Sequence, residues 1–215
     1  LQEETTQEQL IELVNKLNNQ ENVNGILVQL PLPKSIDEQK ILDTIHPDKD
    51  ADGFHPLNVG KLSISATNDK NLLIPCTPYG CLIMLKELGV NLKGKHAVVV
   101  GRSPILGKPM AMMMLQANAT VTICHSRTQN LEAHIRQADV IVGAVGRPEF
   151  IRADCIKDGA VVVDAGYHPG GVGDIELGPL VDRVAAYTPV PGGVGPMTIN
   201  TLIMQTVESG EKALT

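Results

Sequence analysis

The sequence predicts an α/β fold in which a parallel sheet, covered on both faces by helices, occupies the second part of the chain. Beyond residue 77, short apolar segments alternate with segments of helical periodicity, an order typical of a parallel sheet with its helices. The apolar segments are uninterrupted, as expected of strands that are buried on both faces. The first part of the chain has two helical segments around one apolar segment, which predicts a smaller, partial α/β unit.

Two helices and one strand are predicted in this first part. Thr6 and Gln9 form a capping box at the start of the first helix, and Ser35 and Glu38 form another at the start of the second. The apolar run at 25–30 between them predicts a buried strand.

A helix that opens at Thr77 marks the boundary between the two parts. Thr77 is expected to be its N-cap, with Pro78 at the first helical position, and Gly89 is expected to end it. The polar stretch 46–60 precedes this helix, and loops of that length are usually functional or mobile. The chain therefore divides into a first domain, residues 1–77, which a last helix at about 197–215 completes, and a second domain, residues 78–196.

The second domain is predicted to hold five strands with helices between them. Apolar runs place the strands, and apolar spacings of three and four residues place the helices. The predicted strands are His96–Val100, Thr120–Cys124, 140–144, 160–164 and 186–188, and the predicted helices are Gly107–Gln116, 130–137 and, after the second domain, 197–208.

Composition and charge narrow the classes of function. With a formal net charge of −6 and 2% aromatic residues, the sequence lacks the basic face and stacking aromatics that suit a nucleic-acid partner. No apolar run approaches the roughly 20 residues that span a bilayer, and no segment resembles a signal peptide. The four cysteines have no C-x-x-C spacing, so we expect a reduced, cytoplasmic protein without disulfides. Cys124 and His125 have no second ligand pair at a suitable spacing, so no metal is expected.

A glycine turn after the first strand of the second domain points to a nucleotide. Gly101-Arg-Ser-Pro-Ile-Leu-Gly107 follows an apolar strand and opens a helix. Glycine lets a backbone approach a pyrophosphate closely, and a helix N-terminus offers free N–H groups at the positive end of its dipole. This position predicts a Rossmann-like domain; the alternative is a turn glycine without a ligand.

The residues after the second strand favour NADP over NAD. Sites that bind NAD place an acidic residue about 20 residues beyond the glycine turn, on the ribose hydroxyls. Cys124-His-Ser-Arg-Thr128 has no acid, whereas Arg102, Ser126 and Arg127 can donate hydrogen bonds to a 2′-phosphate. A solvated loop is the alternative interpretation of Ser126 and Arg127.

Three segments together carry a resemblance to a known family. They are residues 24–33, which end in Val-Gln-Leu-Pro-Leu-Pro, the turn at 101–103, and residues 189–199, which contain Pro-Gly-Gly-Val-Gly-Pro-Met-Thr. Across essentially its whole length the sequence resembles the bifunctional methylenetetrahydrofolate dehydrogenase/methenyltetrahydrofolate cyclohydrolases. The resemblance implies a homodimeric enzyme of one-carbon metabolism that oxidises 5,10-methylenetetrahydrofolate with NADP and hydrolyses the product to 10-formyltetrahydrofolate. It makes residues 1–77 part of a folate-binding catalytic domain and residues 78–196 the NADP-binding domain, joined by long helices.

The resemblance also implies which residues bind substrate and cofactor. Val28, Gln29 and Leu30 match the folate-contacting strand end, where Gln29 would bond the catalytic lysine or the substrate. Asp52 matches the carboxylate that accepts two N–H bonds from the pterin ring. On the sequence alone, a strand-end amide bonded to the backbone is the alternative interpretation of Gln29, and an Asp-Gly turn residue is the alternative for Asp52. The loop that lines substrate and nicotinamide is matched by Pro191, Gly192, Gly193, Val194 and Gly195, and a hydroxyl near the cofactor by Thr198.

Two departures from the family pattern bear on activity. The family's catalytic lysine and its partner tyrosine lie in a Tyr-x-x-x-Lys motif upstream of the segment that matches Leu1, and the 215 residues contain no such motif. Lys34, Lys49 and Lys61 are not assigned this role, so we expect this polypeptide to lack cyclohydrolase activity and to have weak dehydrogenase activity. Tyr167 stands in a shortened loop where the family has an aliphatic cofactor contact, and stacking on the cofactor is the role assigned to it.

Two other functions stay open on the sequence. An amino-acid or shikimate-type dehydrogenase uses the same kind of nucleotide-binding domain, although the segment at 28–33 speaks against it. The second alternative function is a non-catalytic NADP-binding module, which stays open because the Tyr-x-x-x-Lys motif is absent from the 215 residues. His46 and His55 are interpreted as solvated, with the folate cleft as the alternative location.

Overall fold

The structure is a computed structural model that describes residues 4–64 and 72–214. Within these ranges no helix is long and apolar enough to cross a membrane. The helices are α1 (Gln7–Asn18), α2 (Glu38–Thr44), α3 (Pro56–Ile64), α4 (Cys76–Glu87), α5 (Gly107–Gln116), α6 (Leu131–Arg136) and α7 (Val194–Ala213). The strands are β1 (His96–Val100), β2 (Thr120–Cys124), β3 (Val140–Gly143), β4 (Val161–Asp164) and β5 (Ala186–Tyr187), and 3-10 turns lie at Pro47–Lys49, Ala153–Cys155 and Gly178–Leu180.

The five strands form one parallel sheet in the order β2-β1-β3-β4-β5. Successive side chains of a strand point to opposite faces, so Val99 shares a core with Met110 and Met114 of α5, and Val98 shares another with Ile135 of α6. The predicted α/β fold is therefore confirmed. Because β1 is flanked by β2 and β3, the strand order reverses there, and ligands of such sheets bind beyond the carboxyl ends of the strands at that point.

The predicted elements of the second part are all present. β1, β2 and α5 have the predicted bounds, and the other strands are one residue shorter at one end. The last helix is longer than predicted at both ends: it begins within the glycine-rich loop at Val194, whose side chain is buried in the sheet core, and it ends at Ala213.

The start of α4 differs from the prediction, and its end agrees. The helix begins at Cys76, behind Pro75 and without a side-chain cap, so the N-cap predicted at Thr77 is wrong. The Thr77 hydroxyl lies in the first turn, where it accepts a hydrogen bond from the Thr198 hydroxyl at 3.1 Å. Gly89 follows the last turn with a φ of +71°, as expected of a glycine that ends a helix.

Of the two predicted capping boxes, only the first forms. The Thr6 hydroxyl accepts from the Gln9 N–H, and the Gln9 side chain accepts from the Thr6 N–H. The box predicted for Ser35 and Glu38 is wrong, because Asp37 is the N-cap of α2 and accepts from the two N–H groups that follow Glu38. Asp is a strong N-cap, and its charge suits the positive end of the helix dipole.

The strand predicted at 25–30 is also wrong. Only Ile26 pairs in the manner of a strand: its N–H donates to the Lys49 carbonyl at 2.7 Å, and its carbonyl accepts from the Ala51 N–H at 3.3 Å. No strand lies beside this run in the described ranges, so the run stays extended without a ladder. Gly25 lies against α7, where a Cβ would come within 2.9 Å of Thr206 Cγ2.

The polar stretch 46–60 is not one continuous loop. A 3-10 turn and the first residues of α3 occupy its two ends, so the loop prediction is wrong there. Asp50 orders the residues between, because a buried carboxylate requires hydrogen-bond donors. It accepts from the Phe54 N–H at 3.1 Å, the His55 N–H at 2.8 Å and Asn58 Nδ2 at 2.8 Å.

The long helices α4 and α7 pack side by side and connect the two parts of the chain. Gly80 of α4 lies so close to Met197 that a Cβ would be 3.1 Å from the Met197 backbone. The Thr201 hydroxyl of α7 donates to the Cys76 carbonyl at 2.9 Å. Since α7 also lies against Gly25 and reaches the sheet core through Val194, both parts are held in one arrangement.

Candidate cofactor and substrate site

The turn after β1 is packed so closely that only glycine fits. Gly101 has a φ of +136°, and its N–H donates to the Cys124 carbonyl at 2.9 Å. A Cβ at Gly101 would overlap the Ala144 carbonyl, and one at Gly107 would overlap the Gly101 carbonyl. The loops that follow β1 and β3 therefore touch through backbone atoms at this edge of the sheet.

The turn between β1 and α5 offers free hydrogen-bond donors. The Ser103 hydroxyl accepts from the N–H groups of Leu106 and Gly107, each at 3.2 Å, and so satisfies part of the helix N-terminus. The N–H groups of Arg102 and Ser103 make no hydrogen bond to another described residue. Free backbone donors on a turn that leads into the positive end of a ten-residue helix suit a phosphate.

The residues after β2 lie next to this turn. β1 and β2 are parallel neighbours, and Val100 pairs with Cys124, so both strands end at the same edge. The Thr128 hydroxyl accepts from the His125 N–H at 2.8 Å and shapes a tight turn. Ser126 and Arg127 are exposed on that turn. Five predicted cofactor residues therefore lie at one edge, namely Gly101, Arg102, Ser103, Ser126 and Arg127.

A buried carboxylate, which the sequence did not single out, ties the next two loops together. Asp174 is 0% exposed, and its oxygens accept from the N–H groups of Val145, Gly146 and Arg147 at 2.6, 2.9 and 3.0 Å. The His168 Nε2 lies 2.8 Å from the same carboxylate. Asp174 therefore fixes the loop that follows β3, beside Gly101.

A second buried carboxylate supports the first. Asp164 ends β4 and accepts from the N–H groups of Gly166, Asp174 and Ile175, each at 2.9 Å. Burial raises the pKa of Asp164, and these three hydrogen bonds oppose that shift. Tyr167 extends from this loop and is 73% exposed, so the structure places it at the edge of the sheet, with its ring in solvent.

Asp52 lies between the two parts of the chain, against the first turn of α4. Burial raises its pKa from 3.8 to about 6, the charge of Asp50 adds to this shift, and a hydrogen bond with the Cys76 thiol opposes it. Gly53 follows with a φ of +70°, and a Cβ there would overlap the Ile74 backbone. A half-buried carboxylate that titrates near neutral pH is typical of functional sites.

The other predicted substrate residues lie on two loops. Val28 and Leu30 are half-buried, and Gln29 is exposed with its Nε2 donating to the Leu30 carbonyl at 3.0 Å; no hydrogen bond joins Gln29 to Asp52. In the glycine-rich loop, Pro191, Gly192 and Gly195 are exposed, whereas Gly193 and Val194 are buried.

Thr198 lies in the first turns of α7, and its hydroxyl is 3.1 Å from the Thr77 hydroxyl and 3.1 Å from the Val194 carbonyl. Because Asp52 contacts Cys76, Asp52 and Thr198 both lie beside the start of α4. The structure therefore brings these two predicted residues to one helix end.

Cysteine and histidine side chains form no metal site in the described ranges. No group of three His, Cys, Asp or Glu there could hold a metal ion. Cys76, Cys81, Cys124 and Cys155 are buried, unpaired thiols, and the His125 Nδ1 accepts from the Arg127 N–H at 3.1 Å.

Comparison with known proteins assigns a family to both parts of the chain. Residues 1–52 match the tetrahydrofolate dehydrogenase/cyclohydrolase catalytic domain, and residues 75–214 match the NAD(P)-binding domain of the same family. The bifunctional protein FolD of Marinomonas sp. (strain MWYL1) is 63% identical over 214 residues, which cover 100% of this chain and 75% of the relative. That of Alcanivorax borkumensis is 64% identical over 214 residues, 99% of this chain and 74% of the relative.

Solved structures agree with this assignment. The bifunctional enzyme FolD from Campylobacter jejuni is 45% identical, with a TM-score of 0.94 over 99% of this chain and 76% of that one. The Trypanosoma brucei enzyme, solved with NADP and an inhibitor, is 38% identical, with a TM-score of 0.92 over 99% of this chain and 75% of that one. The chain belongs to the tetrahydrofolate dehydrogenase/cyclohydrolase family.

Proposed function

We propose that the chain binds NADP and a tetrahydrofolate and acts in the oxidation of 5,10-methylenetetrahydrofolate and the hydrolysis of 5,10-methenyltetrahydrofolate. The observation that carries this proposal is the turn that starts at Gly101 and leads into α5 at Gly107, in which the N–H groups of Arg102 and Ser103 are unpartnered. Such donors fit the pyrophosphate of a dinucleotide. The family assignment of both parts supports the folate as the second ligand.

The residues at the edge of the sheet would select NADP. Arg102 and Ser103 would donate to phosphate oxygens, and Ser126 and Arg127 would hold the 2′-phosphate, since guanidinium and hydroxyl groups are donors. The T. brucei relative was solved with NADP, which supports this choice. Tyr167 and Thr198 would lie on the nicotinamide side.

A titration of NADP and NAD tests this proposal. In Arg127→Ala we expect the affinity for NADP to fall about tenfold to a hundredfold, because a hydrogen bond to a charged group contributes about 1.5–3 kcal/mol. The affinity for NAD should stay within about twofold, since NAD has no 2′-phosphate. Isothermal calorimetry measures both. Arg152→Ala, an exposed arginine paired with Glu176, is the control; equal losses for NADP and NAD in Arg127→Ala would contradict the selectivity.

The chain's part in the chemistry is to bind and orient. Bound NADP would supply the hydride acceptor for oxidation of the folate's methylene carbon. Asp52 would hold the pterin edge, with Val28, Gln29 and Leu30 on the same side. The loop at 191–195, rich in glycine, would let backbone atoms approach both ligands. Hydrolysis of the methenyl group requires polar groups around the attacking water, and Gln29 and Asp52 are the ones we assign to it.

Asp52→Asn should separate folate binding from stability. The carboxylate form accepts two N–H bonds, whereas the amide offers one acceptor, so we expect folate affinity at pH 8 to fall about tenfold or more. Because the pKa of Asp52 is raised to about 6, the folded state favours its proton, and stability falls as pH rises from about 4 to 6. The substitution should therefore raise Tm at pH 8 and leave it unchanged at pH 3.5.

Calorimetric titration with folate and thermal melts at both pH values check this expectation. Wild-type folate affinity should itself weaken as pH falls through about 6, since protonated Asp52 loses acceptor capacity. The exposed Asp182→Asn serves as the control. A Tm at pH 8 that falls in Asp52→Asn would show that the carboxylate stabilises the fold, against our expectation.

Binding is the property to measure in this polypeptide. The 215 residues contain no Tyr-x-x-x-Lys motif, and the chain covers 75% of the length of its Marinomonas relative. We propose that turnover at a full enzyme rate needs that motif in addition to these residues. A non-catalytic NADP-binding role is the second candidate, and NADP binding without turnover of 5,10-methylenetetrahydrofolate would support it.

A homodimer and a cytoplasmic location are further parts of the proposal. The four unpaired thiols fit a reducing compartment.

A further inference from the structure

Gln205 on α7 is a buried polar residue without an assigned role. It is 1% exposed, and its amide makes four hydrogen bonds. Oε1 accepts from the Ile74 N–H at 2.7 Å, and Nε2 donates to the Ile74 carbonyl at 2.8 Å. Nε2 also lies 3.3 Å from the Ala51 carbonyl and 3.3 Å from Cys76 Sγ. The side chain therefore bonds two segments that are far apart in the sequence.

Both of these segments contact Asp52. Ala51 is the residue immediately before it and accepts from the Cys76 thiol at 3.2 Å, and this thiol lies close enough to Asp52 to lower its pKa. Ile74 lies against the following residue, Gly53, whose Cβ would overlap the Ile74 backbone. Gln205 thus bonds the peptide that precedes Asp52, the thiol beside it and the backbone on which its loop rests.

The bonding of Gln205 goes beyond filling space. An apolar side chain of similar volume could occupy the same position, but it would leave the Ile74 N–H and carbonyl without partners, which is costly for buried groups. The amide bonds both backbone polar groups of one residue, Ile74, as a neighbouring antiparallel strand would. α7 starts at Val194, within the glycine-rich loop. The same helix therefore begins in the glycine-rich loop and, through Gln205, bonds the Asp52 loop.

We propose that Gln205 is a positioning residue for folate recognition, which fixes the Asp52 loop against α4 and at a set distance from the glycine-rich loop. The ligand in this inference rests on the proposed function. The geometry of the Asp52 loop does not depend on the proposed function, and it can be measured without any folate.

The experiment uses Gln205→Leu and Gln205→Glu in the complete 215-residue chain. Carbon-13 NMR of the Asp52 carboxyl follows its titration, and calorimetry measures the affinities for 5,10-methenyltetrahydrofolate and NADP. Thr201→Val is the matched control, because it also removes a buried bond between α7 and the start of α4 but leaves Ala51 and Ile74 untouched.

We expect Gln205→Leu to weaken folate binding at least tenfold and NADP binding less than twofold, and to displace the Asp52 titration midpoint. Gln205→Glu keeps the acceptor for the Ile74 N–H and adds a negative charge. It should therefore raise the titration midpoint of Asp52, in addition to the increase caused by the charge of Asp50. Thr201→Val should lower Tm without moving the midpoint. If Gln205→Leu does not fold, Gln205→Glu decides the question through the same titration.

An unchanged Asp52 midpoint in both Gln205 variants would overturn the inference, as would equal losses of folate and NADP affinity. A wild-type chain that binds no folate would instead overturn the proposed function. The midpoint of Asp52 would still show whether Gln205 positions it.

Discussion

Asp174→Ala is expected to lower the free energy of unfolding by about 3–5 kcal/mol, because removal of one partner from a buried, hydrogen-bonded pair leaves the other partners unsatisfied. Three consecutive N–H groups, those of Val145, Gly146 and Arg147, would lose their acceptor, and His168 would lose its partner. Water has little access, since the Asp174 side chain is 0% exposed. The three N–H groups also belong to the loop beside Gly101, so we expect the affinity for NADP to fall with the stability.

Urea-induced unfolding and calorimetry measure the two effects of Asp174→Ala. Asp174→Asn keeps the shape and one acceptor oxygen, so its loss should be smaller. Asp158→Ala is the control on the surface: Asp158 pairs with Arg183 at 2.8 Å, and an exposed pair contributes about 0–1 kcal/mol. If Asp174→Ala unfolds at the same urea concentration as Asp158→Ala, the buried carboxylate has no role in holding the loops.

The sheet could be predicted from the sequence because its signals are local. Uninterrupted apolar runs gave β1 and β2 with their observed bounds, and Gly107–Gln116 was bounded correctly by a glycine and an apolar helical spacing. Such patterns report burial of an element on one or two faces. The same logic failed for the run at 25–30, because an apolar run reports burial but not whether a neighbouring strand pairs with it.

The hydrogen bonds that organise the site could not be predicted in this way. Asp174 bonds Val145, 29 residues earlier, and Gln205 bonds Ala51, 154 residues earlier. No periodicity encodes such partners, and within Gly173-Asp174 the carboxylate is indistinguishable from a turn residue. The glycines near these two acids were the one available signal. A Cβ at Gly166 would overlap Asp174, and a Cβ at Gly173 would overlap Asp164, so each carboxylate packs against a residue that has no side chain.

The two ends of the candidate site differ in how they were found. The NADP end follows from residue chemistry, because a glycine turn and an acid-free strand end each have a physical meaning within a few residues. The folate end came from a resemblance, since Gln29 and Asp52 alone are ordinary polar residues. The raised pKa of Asp52 adds a physical reason for that assignment, one that depends on burial and on Asp50.

Gly101→Ala is expected to abolish measurable NADP binding and to lower the free energy of unfolding by about 3 kcal/mol or more. A φ of +136° is unfavourable for an L-residue and costs about 1–3 kcal/mol. The new Cβ would also overlap the Ala144 carbonyl, a backbone atom that cannot rotate away. Any relief must move β1 apart from the loop after β3, which displaces the free N–H groups of Arg102 and Ser103.

Gly60→Ala is the matched control for this prediction, because Gly60 lies within α3 with no atom near its added Cβ. Alanine there should raise stability by about 0.5–1 kcal/mol. The two variants add the same methyl group, but the expected changes in the free energy of unfolding have opposite signs. Chemical denaturation therefore shows whether the effect of the methyl group depends on the backbone geometry at each glycine. A Gly101→Ala chain that binds NADP with wild-type affinity would mean that the dinucleotide does not lie on this turn, and the edge between β1 and β2 would lose its role as the cofactor site.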